Sequence, residues 1–337
     1  MKTNPGHFFE DFWLGQSLAH APPRTLTVGD AALYQALYGS RFGLQTSEEF
    51  AQLHGYPRSP LDDLLVFHTV FGKSVPDISL NAVANLGYAE GRFFKPVYPG
   101  ASLAATSEVI GLKENSNRQT GVVYVRTIGS NAAGETILSY VRWVMVKKRN
   151  PEAAVSEAVI PKLSEAVAAE ALVAHPLERL VFSSTPLWDA YEIGEKIDHV
   201  DGVTVEEAEH MMATRLYQNT ARVHFNQFAG AQGRFGRRLI YGGHVISLAR
   251  ALSFNGLANA FSLLAINSGR HIAPLFAGDT VFAWSEVLDK AELAGGAGAL
   301  RLRLTATKNL PCAEFPAADN PNTILEFDYW AAMPRRV

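Results

Sequence analysis

An amide, a guanidinium and an imidazole stand close together in the segment 218–224, which reads Gln-Asn-Thr-Ala-Arg-Val-His. His224 titrates near neutral pH, so it can take a proton from one group and deliver it to another. Asn219 can orient a water molecule by donating and accepting hydrogen bonds, but it cannot act as a base. Arg222 can bind a carboxylate through two parallel hydrogen bonds. These residue types favour acid–base chemistry; a lone surface histidine is the plain alternative.

Two glycines open an apolar segment shortly afterwards, in the run 240–245, which reads Ile-Tyr-Gly-Gly-His-Val. Gly243 would present a bare N–H at the start of a helix, and such a donor stabilises developing negative charge together with the helix dipole. Close packing against a sheet would also require a glycine, and the two roles are compatible. Tyr241 and His244 flank this glycine and are expected to line a pocket, with core filling as the alternative for the tyrosine.

The frame of this site recurs in the first half of the chain without its chemistry. An offset of 179 residues pairs Ser40 with Asn219 and Gln45 with His224. Two further blocks recur in the same order at offsets of 178 and 187, residues 91–109 as 269–287 and residues 136–143 as 323–330. The repeat predicts two copies of one domain, residues 1–150 and 187–337. Because only the later copy carries the histidine, we expect it to be catalytic and the earlier one to be degenerate.

The elements that must position these residues follow the same order in both copies. Each has a short strand, a helix, an irregular stretch and a strongly apolar helix, followed by extended segments such as 121–127 and 300–305. Ser59 and Pro60 are predicted to start the apolar helix of the first copy, and residues 244–258 to form that of the second. The segment 151–186, which contains four prolines, is predicted to be a linker with at most one short helix.

Composition limits the classes of function. The chain has 337 residues, 47% of them hydrophobic and 19% charged, which is typical of a globular protein with room for two domains. A net charge of −3 without a basic block argues against nucleic-acid and membrane partners. The single cysteine, Cys312, excludes an internal disulfide, and no signal peptide or transmembrane run is evident, so we expect a cytoplasmic protein. Homo-oligomerisation stays open.

The second copy resembles the MaoC-like hydratases, also called (R)-specific enoyl-CoA hydratases, which have the hot-dog fold. Asn219 stands where that family has its catalytic aspartate, His224 where it has its catalytic histidine, and Gly243 where a glycine opens the central helix. Other motif positions differ from the family pattern: Gln218 replaces glycine, Ala221 asparagine, Arg222 proline and Gly242 histidine.

The resemblance implies an α+β tandem hot-dog, in which an antiparallel sheet wraps a central helix in each copy. It also implies reversible hydration of an α,β-unsaturated acyl-CoA without a cofactor or a metal ion. His224 would move the protons, and Gly243 would stabilise the enolate. The CoA phosphates would meet Arg234, Arg237 and Arg238, unless these belong to a solvated loop. The remaining histidines lack the spacing of a metal site: His54, His68, His199, His210 and His271.

Asn219 is the main departure from the family. Either it positions the water while His224 alone moves protons, or another group replaces the aspartate; a site without activity is the third reading. The candidates for such a group are Asp62, Asp63, Glu90 and His244. Arg222 suggests a reason for the change, because an aspartate would repel a second carboxylate on the acyl group, whereas an asparagine would not.

Three functions therefore stay open. The first is hydration of a dicarboxylic enoyl-CoA, in which Arg222 binds the second carboxylate; if Arg222 faces solvent instead, this argument is lost. The second is hydration of another substrate, such as itaconyl-CoA or a trans-2-enoyl-CoA. The third is a non-catalytic or thioesterase-like hot-dog that binds acyl-CoA.

Overall fold

A computed structural model describes residues 2–175 and 186–336, and within them ten strands form one antiparallel sheet. The strands are Ser17–Thr25 (β1), Ala82–Phe93 (β2), Ser102–Glu114 (β3), Thr120–Ser130 (β4), Thr136–Lys147 (β5), Lys196–Thr204 (β6), Ser262–His271 (β7), Thr280–Glu292 (β8), Ala297–Lys308 (β9) and Thr323–Pro334 (β10). The α-helices are Val28–Tyr38 (α1), Gly43–Thr46 (α2), Glu48–Leu53 (α3), Asp63–Ser74 (α4), Glu207–Leu216 (α5), Arg222–Phe225 (α6), Gln227–Ala231 (α7), Gly242–Leu252 (α8) and Phe254–Leu257 (α9).

The strand order reads the same from both ends once the repeat is taken into account. It runs β1-β3-β4-β5-β2-β7-β10-β9-β8-β6, so each strand of the first copy has its counterpart at the mirrored place. The two halves meet where β2 pairs with β7, with Tyr88 opposite Gly269 and Arg92 opposite Ala265. The predicted α+β double hot-dog is confirmed, and the duplication seen in the sequence is also a duplication of structure.

The two central helices are buried because they are apolar on nearly every side. In α4 every residue from Leu64 to Ser74 is buried, and α4 packs against β3 and β4. In α8 the residues from Gly243 to Ala251 are buried, and α8 packs against β8 and β9. The segment 300–305, which was predicted to be extended, lies in β9, and its leucines are buried. Each sheet half therefore wraps its own helix.

Two predicted helix boundaries are wrong. The apolar helix of the first copy starts at Asp63, not near Ser59, because the Asp62 carboxylate caps it by accepting the Leu64 N–H at 2.9 Å. Helix α8 ends at Leu252, and the short α9 that follows it is interrupted where Gly256 adopts a φ of 101°. A single helix over residues 244–258 therefore does not form.

The segment between the copies contacts both halves of the sheet, β3 at Leu112 and then, through Val167, Asn267 of β7 and Trp330 of β10. Val159 forms an isolated bridge with Leu112, and the one helical element described here is a 3-10 turn at Ala169–Ala171. Pro176 and the rest of the predicted linker up to residue 185 lie outside the described residues. Within the described ranges, no helix is long and apolar enough to cross a membrane.

Candidate active site

His224 lies in the short helix α6, and its ring is held by the backbone of the segment that leads to α8. Its Nδ1 lies 2.9 Å from the backbone oxygen of Leu239, and a carbonyl can only accept, so Nδ1 carries the proton. The other ring nitrogen, Nε2, then has a free lone pair. Burial lowers the pKa of His224 to about 4, against the opposing effect of the Leu239 bond. At neutral pH this histidine is uncharged and ready to accept a proton.

Asn219 follows α5 and is buried, with 4% of its surface exposed. Its Oδ1 accepts the Ala221 N–H at 3.0 Å, so the orientation of the amide is set by the chain itself. Its Nδ2 is buried without a hydrogen-bond partner among the described residues. Because buried polar groups are normally paired, this donor is a place for a water or substrate oxygen.

The first turn of α8 is enclosed by aromatic rings. A Cβ added to Gly243 would lie 2.4 Å from the Tyr241 ring and 2.7 Å from the His68 ring, and one added to Gly242 would lie 2.3 Å from Nε2 of His271. Only glycines fit both positions. The helix has no side-chain cap, so its first N–H groups are left for another acceptor. An oxygen with developing negative charge fits that need.

Three histidines that the sequence did not single out surround this turn. Nε2 of His210 accepts the Tyr241 N–H at 2.9 Å, so this ring is neutral, and burial lowers its pKa to about 2. His68 and His271 each bury an Nε2 atom without a partner among the described residues. Burial lowers the pKa of His68 to about 3 and that of His271 to about 4. The site is therefore a cluster of uncharged imidazoles around His224.

His244 is tied to the first copy of the domain. Its Nδ1 lies 3.0 Å from the Tyr38 hydroxyl, which in turn accepts a hydrogen bond from the Tyr217 hydroxyl at 2.8 Å. The two tyrosines are counterparts in the repeat, so the two copies contact each other through equivalent tyrosine hydroxyls. Burial lowers the pKa of His244 to about 3, and its Nε2 is buried without a described partner.

An open cleft of about 650 Å³ lies between the copies next to these residues. Gly72 and Lys73 of α4 line one side of the cleft, and Arg215 and Asn219 line the other. His224 is not among its lining residues, although the neighbouring Phe225 is. The cleft therefore reaches Asn219, while the imidazole of His224 faces Tyr241, with ring centroids 5.4 Å apart.

The predicted cationic residues lie outside this cleft. Arg222 is exposed and forms no hydrogen bond or ion pair within the described part of the chain. Arg234 and Arg237 lie on aromatic rings, 5.3 Å above Phe235 and 3.7 Å above Phe276, and Arg238 pairs with Glu207 at 2.6 Å. The structure thus places Lys73 and Arg215, which the sequence did not indicate, nearest to the cleft.

The acidic candidates also have other partners. Glu90 pairs with Arg126 at 2.6 Å, and Asp62 and Asp63 lie at the start of α4 in the first copy. Among the described residues, none of these three acids forms a hydrogen bond or an ion pair with Asn219 or His224. In the same residues, no group of three His, Cys, Asp or Glu side chains is arranged to hold a metal ion.

The fold and this site define a MaoC-like double hot-dog protein. A solved structure described as a MaoC domain protein dehydratase from Chloroflexus aurantiacus matches with a TM-score of 0.97 and 59% identity, over 100% of both chains. A Mycobacterium tuberculosis protein described as having a double hotdog fold matches with a TM-score of 0.80 and 27% identity, over 97% of this chain and 98% of that one.

The chain belongs to the mesaconyl-CoA hydratase family, whose model matches residues 2–308. It is 60% identical to the β-methylmalyl-CoA dehydratase of Chloroflexus aurantiacus, over 99% of both chains. It is also 58% identical to the mesaconyl-CoA hydratase of Cereibacter sphaeroides, over 99% of this chain and 100% of that one. The tandem length, the Phe-Glu-Asp-Phe motif at residues 9–12 and the motif at 218–224 indicate the same family, and the predicted resemblance is confirmed.

Proposed function

We propose that this protein interconverts mesaconyl-CoA and β-methylmalyl-CoA by adding or eliminating water. The observation that carries the proposal is the tautomer of His224, which leaves Nε2 free to accept a proton. The names of the two close relatives support the choice of substrate. The lyase class follows from the reaction, and no cofactor takes part in it.

In the hydration direction, Nε2 of His224 takes a proton from a water molecule, and the hydroxyl group adds to the β-carbon. The electron pair of the double bond moves to the α-carbon and the thioester oxygen, which gives an enolate. The N–H of Gly243 and the dipole of α8 stabilise this negative charge. The imidazolium then returns its proton to the α-carbon, so the enzyme ends as it began.

Asn219 positions the reacting water but does not take its proton. Its free Nδ2 can donate to the water oxygen, while Oδ1 stays bound to the Ala221 N–H. His224 therefore performs both proton transfers. We place Tyr241 and His244 in the surrounding wall rather than in the reaction, because both are buried and each side chain contacts a neighbour, the Tyr241 hydroxyl at His68 and the His244 ring at Tyr38.

The cleft between the copies is the natural entrance for CoA. Lys73 and Arg215 line it and can meet the phosphates, and Arg234, Arg237 and Arg238 lie on a separate loop. The single cysteine is free and buried, which fits the reducing cytoplasm that we propose as the location.

The test mixes the purified protein with mesaconyl-CoA and, separately, with crotonyl-CoA. We expect the absorbance of the conjugated thioester to fall with mesaconyl-CoA while a thiol reagent detects no free CoA. Release of thiol would show a thioesterase. Faster turnover of crotonyl-CoA would show a hydratase for plain enoyl-CoA, and unchanged absorbance with both would show a binding protein.

A further inference from the structure

A fully buried guanidinium lies beside the site without an acidic partner. Arg142 of β5 is 0% exposed and donates to the hydroxyls of Ser74 at 2.9 Å and Ser79 at 3.3 Å. Its Nε has no partner, and within residues 2–175 and 186–336 it forms no ion pair with a carboxylate. Burying a charge without a counter-ion is costly. Something from outside the described chain would offset this cost.

The second copy holds a matching guanidinium. Arg250 of α8 donates to Ser253 at 2.9 Å, and Ser253 is the counterpart of Ser74 at the offset of 179. In the first copy the helix carries the aromatic residue, Phe71, and the strand carries the cation, Arg142. In the second copy the order is reversed: the helix carries the cation, Arg250, and the strand carries the aromatic residue, Tyr329. Both guanidiniums therefore lie between a central helix and a strand, Arg142 reaching there from the strand and Arg250 from the helix.

The two guanidiniums differ in what they face. The Asp62 and Asp63 carboxyls at the start of α4 lie close enough to Arg250 for its charge to favour their ionised forms. Burial nevertheless raises the pKa of both, and that of Asp63 to about 8. Arg250 thus has two acidic side chains of the chain itself in its neighbourhood, although among the described residues neither forms an ion pair with it.

Arg142 lies near the start of α8 in the same way, because it stacks 4.2 Å over the ring of Phe71, which is a neighbour of Tyr241. Tyr241 and Gly242 are the counterparts of Asp62 and Asp63, so the carboxylates are missing at this end. The Tyr241 ring lies 5.8 Å from the Phe71 ring, on which Arg142 stacks, and 5.4 Å from the His224 ring. The unfilled carboxylate position is therefore next to the reacting groups.

We propose that Arg142 binds the free carboxylate of the dicarboxylic acyl group, which takes the place that Asp62 has in the first copy. The proposal rests on the proposed function. It assigns to a buried residue of the first copy the role that the sequence suggested for the exposed Arg222. A buried guanidinium neutralises a buried carboxylate far better, because water does not screen the pair.

The test compares the binding of succinyl-CoA and butyryl-CoA, which differ in a terminal carboxylate against a methyl group, by titration calorimetry. We expect the wild type to prefer succinyl-CoA. Arg142→Met should weaken the binding of succinyl-CoA about 100-fold, as expected for a charged hydrogen-bonded pair, and change that of butyryl-CoA less than about threefold. Arg142→Lys, which keeps the charge, should lie between the two.

Arg250→Met is the matched control, because it also removes a buried guanidinium. It should lower the melting temperature yet keep the preference for succinyl-CoA. Equal loss of both ligands in Arg142→Met and in Arg142→Lys would overturn the proposal, and so would loss of the preference in Arg222→Met alone. Because binding is measured without turnover, failure of the proposed hydration is seen separately, in the wild type with mesaconyl-CoA.

Discussion

Ser40 and Gln45 hold in the first copy the places that Asn219 and His224 hold in the second. Helix α2, which carries Gln45, and helix α6, which carries His224, begin and end at positions separated by the same offset of 179. The backbone is thus repeated while the chemistry is not. Gln45 uses its amide to bond to the backbone oxygen of Phe261 at 3.3 Å. The first copy uses this polar position for packing, whereas the second carries there the residue that we propose as the base.

The starts of the two central helices show the same contrast. In the first copy α4 begins at a pair of partly buried carboxyls, whereas α8 begins at two glycines enclosed by rings. An acidic substrate would be repelled at the first and stabilised by free N–H groups at the second. Under the proposed function, two copies of one fold therefore perform two tasks: the first forms part of the wall of the site and the second performs the chemistry.

The variant His224→Gln, which gives the second copy the residue of the first, should have the largest effect on activity. We expect kcat for mesaconyl-CoA hydration to fall about 1000-fold, since a general acid–base group contributes a factor of this order. Gln45→His is the matched control and should leave the rate unchanged. A rate above a tenth of the wild type in His224→Gln would contradict the assignment of the base.

Gly243→Ala should have the next largest effect. The added methyl would clash with the rings of Tyr241 and His68, and the helix N–H groups would shift away from the thioester oxygen. We expect kcat to fall about 100-fold. Gly29→Ala is the control, because the first contact of its Cβ is at 3.4 Å; similar rates for both variants would argue against a role of the α8 N–H groups.

The lowered pKa of His224 predicts how the stability of the protein depends on pH. Its folded-state pKa of about 4 lies below the value of about 6.5 expected in the unfolded chain, so the unfolded state binds the proton first as pH falls. Stability is therefore complete above pH 6.5 and is lost on the way down to pH 4. Between pH 7 and pH 5 the wild type should lose about 2 kcal/mol more than His224→Gln, as measured by urea unfolding.

Tyr38→Phe tests the contact between the copies and should have the smallest effect. It removes the hydroxyl that joins Tyr217 to His244, at a cost of about 1 kcal/mol in stability. The value of kcat should stay within threefold, because the phenol is outside the proposed proton path. A loss of more than 30-fold, with Tyr34→Phe unaffected, would place Tyr38 in that path instead.

The sequence predicted the parts of the site that are local in the chain. The segment 218–224 and the Gly-Gly pair lie next to elements whose apolar periodicity sets their position, and the repeat indicated which copy to read. The start of α4 was misjudged because Asp62 competes with Ser59 as a cap, and pattern alone does not decide between them.

The parts that were missed depend on packing between distant elements. The contact between His68 and Tyr241 joins residues 173 positions apart, and Arg142 comes from the other copy altogether. Nothing around these residues in the chain marks them as part of the site. Only the unpaired nitrogen atoms and the missing counter-charge, seen in three dimensions, give them a role.

The pairing of β2 with β7 limits how this protein could be simplified. Each half cut out alone would expose unpaired N–H and C=O groups along residues 88–92 or 265–269, which invites aggregation. The half with the histidine would also lose Arg142 and His68. A single copy of this domain would therefore need a strand from a second chain to cover that edge.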